Sequence, residues 1–254
     1  MLANRRQNAI LEAVQERGNY SITALAERLS VSTETVRRNL KALVERGMIV
    51  RFHGGVMLPN GGEEQPFQRR MQVNRDLKRI VASVAASRIK DGDSIILDNG
   101  TTTSYVADAL ANHSQLVVIT NSADVTCRLA SRNGNRVFLA GGEINPEDLA
   151  AFGPSVISFL RQFQVRYALL SAGGVNDRGD FADFHLWEAE FAGAAIDQAE
   201  ETWVIADHTK FGREAPVKAG DLGRISAIVT DRTPPSPLAE RCAARGVALH
   251  LPSA

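Results

Sequence analysis

The sequence predicts an α/β chain in two parts, a small helical head over residues 1–58 and a larger layered α/β body over 75–254, joined by a linker over 59–74. Two patterns predict this fold class. From residue 94 onward, short apolar runs alternate with helix-like stretches, which is typical of βα units around a largely parallel sheet. The stretch between the two parts is rich in proline, glycine and acidic residues, as interdomain connections often are.

Composition excludes several classes of protein. A chain of 254 residues with 44% hydrophobic residues can bury a sizeable core, which excludes a disordered protein. It contains no apolar run long enough for a transmembrane helix, and no secretory signal peptide is expected at its start. The two cysteines, Cys127 and Cys242, are far apart, so neither a disulfide framework nor a cysteine zinc site is expected. A reducing, cytoplasmic location fits this usage.

Charge is distributed unevenly along the chain. Residues 1–79 hold 14 basic and 8 acidic residues, whereas residues 80–254 hold 15 and 21. The net charges are therefore +6 and −6, although the total is zero. A basic head suggests an anionic partner, and charge alone leaves open whether that partner is nucleic acid or a membrane surface.

Three short helices are predicted in the head. The first spans about Arg5 to Arg17, the second has Thr23 as its N-cap, and Ser32 caps a third that ends at Arg46. The second and third helices, separated by a tight turn, form a predicted helix-turn-helix motif over about Tyr20 to Asn39.

The polar face of the third helix carries the pattern of a DNA-reading surface. Thr33, Arg37 and Lys41 recur every four residues, with Glu34 and Arg38 beside them. If the first half of this helix enters the major groove, Thr33 and Arg37 can reach base edges. Arg38 and Lys41 are placed for phosphates, which position a protein on DNA without specifying sequence.

A hairpin is predicted directly after the third helix. Two β-prone runs flank Gly54-Gly55, and Arg51 and His53 would alternate toward the DNA backbone. A hairpin in this place makes the motif a winged helix-turn-helix. The alternative interpretation is a small helical subdomain with a solvated charged face, which the four features in this order make less favourable.

Residues 6–58 resemble the DeoR family of bacterial transcriptional regulators. The residues that carry the resemblance are Leu25-Ala26-Glu27, Val31-Ser32, Thr35-Val36-Arg37-Arg38-Asn39-Leu40, Leu43, Gly47 and Arg51-Phe52-His53-Gly54-Gly55. The chain departs from the family at Asn39, where an aspartate is usual, and the loss of that charge is expected to loosen a contact that orients an arginine.

The body is predicted to begin with a helix from Arg75 to Lys90, followed by seven strands. The predicted strands are Ser94–Leu97, Leu116–Ile119, Arg136–Leu139, Arg166–Leu170, Thr202–Ala206, Ile225–Val229 and Val247–Leu251. In such sheets, ligands bind beyond the carboxyl ends of the strands. Polar and glycine residues follow five of these strands: Asp98-Asn99-Gly100-Thr101-Thr102-Thr103, Thr120-Asn121-Ser122, Ala140-Gly141-Gly142-Glu143, Ser171-Ala172-Gly173-Gly174 and Asp207-His208-Thr209-Lys210.

These strand ends favour a small ligand that is phosphorylated and carries several hydroxyl groups. Loop amides and a helix N-terminus after Gly100 attract an anion, and Lys210 supplies a mobile positive charge. Asp183 and Glu188 are expected at the pocket mouth, where they accept hydrogen bonds from ligand hydroxyls. The alternative is that Gly-Thr-Thr only caps a helix and that the glycine pairs are ordinary turns.

Neither a nucleotide cofactor nor a metal is predicted. The chain has no Walker loop and no dinucleotide-binding glycine motif. His185 and Glu188 have the spacing of a helical metal pair, but no third ligand accompanies them.

The body resembles the DeoR-family effector domain over about residues 75–231. The matching blocks are Asp98 to Thr102, Thr120-Asn121-Ser122, Leu139 to Glu143, Gly153, Gly173, Asp207 to Gly212 and Thr230-Asp231. The resemblance implies a fold similar to ribose-5-phosphate isomerase and CoA transferases, with a phosphorylated sugar or polyol as inducer. Asn112-His113-Ser114, Phe211-Gly212-Arg213 and Thr230-Asp231 look most like the glycerol-3-phosphate repressor branch. Ala189–Gly193 lacks basic residues that many members carry there, which implies a change in effector.

Two classes of function follow. The resemblance implies a cytoplasmic homodimer or homotetramer that represses a sugar or polyol operon, with glycerol 3-phosphate among the possible effectors and with no cofactor or membrane partner. The alternative is a sugar-phosphate isomerase or transferase with an accessory DNA-binding head. In that alternative, four side chains would do acid–base work: Asp98, Asp183, Glu188 and Lys210. The head argues against it, because a metabolic isomerase has no evident need for a winged helix.

Overall fold

The computed structural model describes residues 2–17, 19–46, 48–52, 55–57, 66–213 and 215–253. The chain divides into two units, Met1–Gln65 and Pro66–Ala254. His53, predicted to face the DNA backbone, lies outside the described residues. Within those residues, no helix is both long enough and apolar enough to cross a membrane.

The head contains helices and short strands in the predicted order. Its elements are α1 (Leu2–Arg17), β1 (Asn19–Ser21), α2 (Ile22–Arg28), α3 (Thr33–Glu45), β2 (Val50–Phe52) and β3 (Gly55–Met57). Strands β2 and β3 pair antiparallel, which confirms the hairpin, and β1 pairs with the other side of β3, which the sequence analysis missed. The helices enclose a core of buried aliphatic side chains that includes Ile10, Leu25, Leu40 and Val56.

Of the N-caps predicted for α2 and α3, only that of α3 is found in the structure. Ser32 caps α3 as predicted, since its hydroxyl accepts a hydrogen bond from the Thr35 amide at 3.2 Å. The prediction for α2 was wrong. Ser21, and not Thr23, is the N-cap, with the Ala24 amide donating to its hydroxyl at 3.1 Å. Helix α2 therefore begins at Ile22, directly after β1 and two residues earlier than predicted.

The body is built on one parallel sheet with two small antiparallel sheets beside it. The strands in chain order are β4 (Ser94–Leu97), β5 (Val117–Thr120), β6 (Arg136–Leu139), β7 (Ile144–Asn145), β8 (Ala150–Ala151), β9 (Val165–Ser171), β10 (Gly174–Val175), β11 (Asp180–Asp183), β12 (Ala199–Ile205), β13 (Val217–Asp221), β14 (Ala227–Val229) and β15 (Ala248–His250). The helices are α4 (Phe67–Gln72), α5 (Arg75–Ala86), α6 (Thr101–Ala109), α7 (Ala123–Leu129), α8 (Pro154–Leu160), α9 (Leu186–Asp197) and α10 (Ser236–Arg245).

The seven predicted strands form the parallel sheet, with ends shifted by up to three residues. Their order is β15-β14-β12-β9-β4-β5-β6. The antiparallel pairs β7-β8 and β10-β11-β13 were not predicted. The predicted linker was too long, because residues 66–74 belong to the body. There α4 is fixed to the loop after β7 by a hydrogen bond from the Phe67 amide to the Glu147 carbonyl at 2.9 Å.

Helices cover both faces of the parallel sheet. On one face Ile95 and Leu97 of β4 pack against α5, α6 and α7, and on the other Ile96 packs with residues of α8, α9 and α10. This division follows from the alternation of side chains along a strand. Strands buried on both faces must be apolar throughout, which is why their sequence runs were so clear.

The sheet has one topological switch point. From β4 the chain adds β5 and β6 on one side, and it then returns to place β9, β12, β14 and β15 on the other side. The connections leaving β4 and β9 therefore diverge at the carboxyl edge of the sheet. Ligands of open α/β sheets bind in the crevice that such a divergence leaves.

Candidate functional site

The exposed face of α3 carries the basic residues that the sequence analysis assigned to DNA. Glu34, Arg37, Arg38 and Lys41 are exposed, while Val36, Leu40 and Leu43 anchor the opposite face in the head core. Thr33 lies half-buried at the first position of the helix. This arrangement presents a rigid, basic helix face to solvent.

Contacts on this face are weak enough to exchange for DNA. Arg37 lies 3.8 Å from the Glu34 carboxylate, and both side chains are exposed, so the pair contributes little stability. Arg51 of β2 donates a long hydrogen bond, 3.4 Å, to the Arg37 carbonyl oxygen. The wing strand and the polar face of α3 are thus neighbours on one surface of the head.

Asn39 does not lie on the exposed basic face of α3. Its side chain is buried, and its amide nitrogen donates to the Thr35 carbonyl one turn earlier at 2.8 Å. It therefore contacts its own helix. A neutral amide suits this place because a buried carboxylate would need a positive partner.

Asp98 bridges the switch point at the end of β4. Its Oδ1 accepts hydrogen bonds from the Gly100 amide and the Thr103 hydroxyl, at 3.0 and 2.6 Å. Its Oδ2 accepts from the amide and hydroxyl of Ser171 at the end of β9, at 2.6 and 2.8 Å. Burial raises the pKa of this carboxyl, and the hydrogen bonds oppose that shift. Asp98 therefore fixes β4 to β9, a connection that the sequence pattern did not reveal.

Gly100 is required by the closeness of Ser171. A Cβ atom built at Gly100 would lie 2.0 Å from the Ser171 hydroxyl oxygen and 2.5 Å from its Cβ. Gly100 is also the N-cap of α6 and provides no side-chain cap. Thr101, Thr102 and Thr103 form the first turn of that helix and are buried. We call the carboxyl edge of the sheet at Asp98, Gly100, Thr101 and Ser171, where the connections leaving β4 and β9 diverge, the β4/β9 crevice.

Residues after β5 and β6 lie at the same edge of the sheet, on one side of the crevice. The Asn121 amide nitrogen donates to the Ala151 carbonyl at 2.9 Å, and the Ala151 amide donates back to the Asn121 carbonyl at 3.0 Å. Among the described residues, the buried Oδ1 of Asn121 has no hydrogen-bond partner. Ser122 is occupied as the N-cap of α7. Gly141 and Gly142 follow β6, and a Cβ at either would meet no atom closer than 3.6 Å.

Residues after β9 hold the loop that leads to α9. The Gly173 amide donates to Asp183 Oδ1 at 2.8 Å, which ties the start of β10 to the end of β11. Glu188 accepts from the His185 amide at 3.2 Å and completes a capping box at the start of α9. Asp183 and Glu188 thus have structural contacts in addition to the ligand contacts predicted for them.

Residues after β12 complete this edge of the sheet. Asp207 accepts two hydrogen bonds from Thr209 through Oδ1, while in the described part of the chain its buried Oδ2 is unpartnered. His208 is held by the Asp231 carboxylate through its amide and its Nδ1 atom, at 2.6 and 2.7 Å. Lys210 lies half-buried at the end of this short 3-10 turn.

No cluster of metal ligands is found among the described residues. None of their histidine, cysteine and acidic side chains form a group of three or more that could hold an ion.

Two protein-family models match this chain. Residues 6–61 match the DeoR-like helix-turn-helix domain, and residues 73–232 match the DeoR C terminal sensor domain. The chain belongs to the DeoR family. The glycerol-3-phosphate regulon repressor of Escherichia coli (strain K12) is 34% identical to this DeoR-family chain over 235 residues, which cover 92% of this chain and 93% of that protein. The HTH-type transcriptional repressor CsqR of the same organism is 33% identical to this chain. That match covers 99% of this chain and 97% of CsqR.

These similarities show that the DeoR-family chain is a transcriptional repressor and not an enzyme. Among solved structures, ribose 5-phosphate isomerase A from Methanocaldococcus jannaschii is similar to part of it. That match has a TM-score of 0.39 and 20% identity, and it covers 54% of this chain and 55% of the isomerase.

Sequence reasoning placed Ser171 among the strand-end residues but did not predict its contact with Asp98. Its position directly after a strand was a usable signal, but the neighbour that matters is Asp98, and that neighbour is known only once the strand order is known.

Proposed function

We propose that this repressor binds operator DNA through α3 and the wing, and that a small phosphorylated sugar or polyol bound in the β4/β9 crevice releases it. The observation that carries the effector proposal is the N-terminus of α6. This helix begins at the switch point and has no side-chain cap. Operator binding places the repressor's action in the cytoplasm, where the DNA lies.

The neighbouring helices explain why α6 is the one suited to an anion. Helix α7 is capped by the Ser122 hydroxyl, and α9 carries the capping box with the Glu188 carboxylate. Only α6 of these three begins at a glycine without a side-chain acceptor for its first amides. A phosphate satisfies those amides and interacts favourably with the helix dipole.

Acceptors near the crevice suit the hydroxyl groups of the same ligand. The buried Oδ1 of Asn121 and Oδ2 of Asp207 lack hydrogen-bond partners among the described residues. A buried acceptor without a donor costs about 1–3 kcal/mol, so a ligand hydroxyl that donates to it gains affinity. Lys210, at the end of the 3-10 turn after β12, would add positive charge for the phosphate.

A repressor of this kind acts as a symmetric oligomer. We propose a homodimer or homotetramer, because paired helix-turn-helix heads read operator half-sites separated by roughly 10 base pairs. Effector binding then favours the state with low operator affinity, and the two binding events are linked by a coupling free energy. Glycerol 3-phosphate is the first compound to test, since a relative of this chain represses that regulon.

Replacing Arg37 by alanine is expected to relax sequence preference, because a bidentate contact to a base is worth about 1–3 kcal/mol of discrimination. Replacing Arg38 by alanine should weaken binding to all DNA equally, as loss of a phosphate contact does. Anisotropy titrations on operator DNA selected from a random pool, and on scrambled DNA, measure both. Equal losses of affinity on the two DNAs for the Arg37 variant would reject its base-reading role.

The affinity of the unaltered repressor for DNA should also fall steeply as the salt concentration rises.

Replacing Lys210 by alanine is expected to weaken effector binding about tenfold or more, because a charge-assisted contact contributes about 1.5–3 kcal/mol. DNA affinity without effector should stay unchanged. Calorimetry with glycerol 3-phosphate and a panel of sugar phosphates measures the first effect, and operator titration the second. If only unphosphorylated compounds bind the unaltered repressor, phosphate recognition at α6 is wrong.

A further inference from the structure

Three aromatic rings form a cluster at the start of α9. The rings of His185 and Trp187 are stacked, with centroids 4.5 Å apart and planes inclined by 8°. Phe152 contacts Trp187 with a centroid distance of 6.0 Å. Trp187 is still 37% exposed, although a tryptophan gains much from burial. We call Phe152, His185 and Trp187 the aromatic wall.

The anchors of the wall place it across the end of β4. Phe152 follows β8, which is fixed to the end of β5 by the two hydrogen bonds between Asn121 and Ala151. Trp187 lies in the first turn of α9, shortly after Asp183, the last residue of β11, which accepts a hydrogen bond from the Gly173 amide just beyond the end of β9. Strands β5 and β9 are the two neighbours of β4 in the sheet. The contact between Phe152 and Trp187 therefore joins the two sides of the β4/β9 crevice.

The wall and the anion-binding helix lie on opposite faces of the sheet. Residues of α8 and α9 belong to the core on one face, and residues of α6 belong to the core on the other. Helix α9 is followed directly by β12, so its first residues lie at the carboxyl edge, as the first residues of α6 do. A ligand in the crevice thus has amides and hydroxyls on one side and aromatic rings on the other.

We propose that the aromatic wall selects sugar phosphates in ring form over acyclic polyol phosphates. One face of a pyranose or furanose ring presents C–H groups and is apolar enough to pack on an indole, while its hydroxyls remain free for hydrogen bonds. Glycerol 3-phosphate has no such face. This inference rests on the proposed function, because the phosphate end of the ligand is assigned to α6.

In a variant whose only tryptophan is Trp187, fluorescence emission reports the contact between this side chain and a bound ligand. The other tryptophan, Trp203, is buried against Tyr167 and His250 in the core on the α6 face, and Trp203→Phe removes its emission. Glucose 6-phosphate and fructose 6-phosphate should shift the emission of Trp187 to shorter wavelength in this variant. Glycerol 3-phosphate and inorganic phosphate should not. A shift of the same size with all four compounds would overturn the wall's part in selection.

Affinities measured by calorimetry separate this inference from the proposed function. Trp187→Ala should weaken binding of the favoured ring-form sugar phosphate about tenfold, leave glycerol 3-phosphate unchanged, and be partly rescued by Trp187→Phe. Leu186→Ala is the matched control, since Leu186 is 61% exposed on the same turn. This substitution should change the affinity for neither ligand. If Trp187→Ala lowers the affinity for both ligands equally, the aromatic wall does not select ring-form sugars. A change of oligomeric state in sedimentation with unchanged ligand affinity would also contradict that selection. If no phosphorylated compound binds the unaltered repressor, the proposed function itself fails.

Discussion

Replacing Asp148 by alanine is expected to destabilise the body by about 3–5 kcal/mol, the usual cost of removing one member of a buried ion pair. Asp148 lies in the loop between β7 and β8, and its Oδ1 is 2.7 Å from the Arg70 guanidinium of α4. Both side chains are largely buried, at 15% exposed for Arg70 and 5% for Asp148. The variant leaves the guanidinium buried without this carboxylate.

Urea denaturation of the full chain measures this cost. The matched control is Asp197→Ala, which removes the exposed ion pair with Arg224 and should cost less than about 1 kcal/mol. The double variant Arg70→Met, Asp148→Leu should be more stable than Asp148→Ala alone, because it removes the buried guanidinium together with the buried carboxylate. If Asp148→Ala costs no more than the control, the ion pair contributes little to holding α4 on the body.

Long apolar strands and amphipathic helices were predictable because burial dictates their periodicity. Strand β4 is apolar on both faces, and α3 has one buried stripe, so each pattern identifies its element. The small antiparallel sheets gave no such signal. Strand β10 has two residues, and β11 finds its partner β13 far along the chain. Helix α4 has six residues and no side-chain cap, so the sequence pattern does not distinguish it from a linker.

The positions of the candidate site residues were predictable from strand ends, but their partners were not. Asp98 was expected to face a ligand, yet both of its oxygens are engaged by residues of the switch point. Half of that engagement comes from Ser171, which lies 73 residues away in sequence. Such a contact depends on the order of strands in the sheet, and periodicity carries no information on that order. The contact of Asp183 with the Gly173 amide depends on the pairing of β10 with β11, which was not predicted, whereas the capping box between Glu188 and His185 is local in sequence.

Replacing Gly100 by alanine is expected to destabilise the body by about 3 kcal/mol and to abolish the response to effector, because the new Cβ overlaps Ser171. The backbone at Gly100 has φ −69° and ψ 152°, which any residue can adopt, so the whole effect is steric. The clash is with the Ser171 hydroxyl oxygen and Cβ, at 2.0 and 2.5 Å. Relief requires β9 to separate from the start of α6, which moves the amides assigned to phosphate.

A second substitution tests that cause directly. Ser171→Gly removes both overlapping atoms, so the double variant Gly100→Ala, Ser171→Gly should regain most of the lost stability. Gly193→Ala is the control: no atom lies within 4 Å of a Cβ there, and alanine in the middle of α9 should stabilise the chain by about 0.5–1 kcal/mol. Urea denaturation gives the stabilities, and calorimetry with the tightest sugar phosphate gives the affinities. Stability that is unchanged in Gly100→Ala, or not restored in the double variant, would show that the close approach of β9 to α6 does not determine the residue at this position.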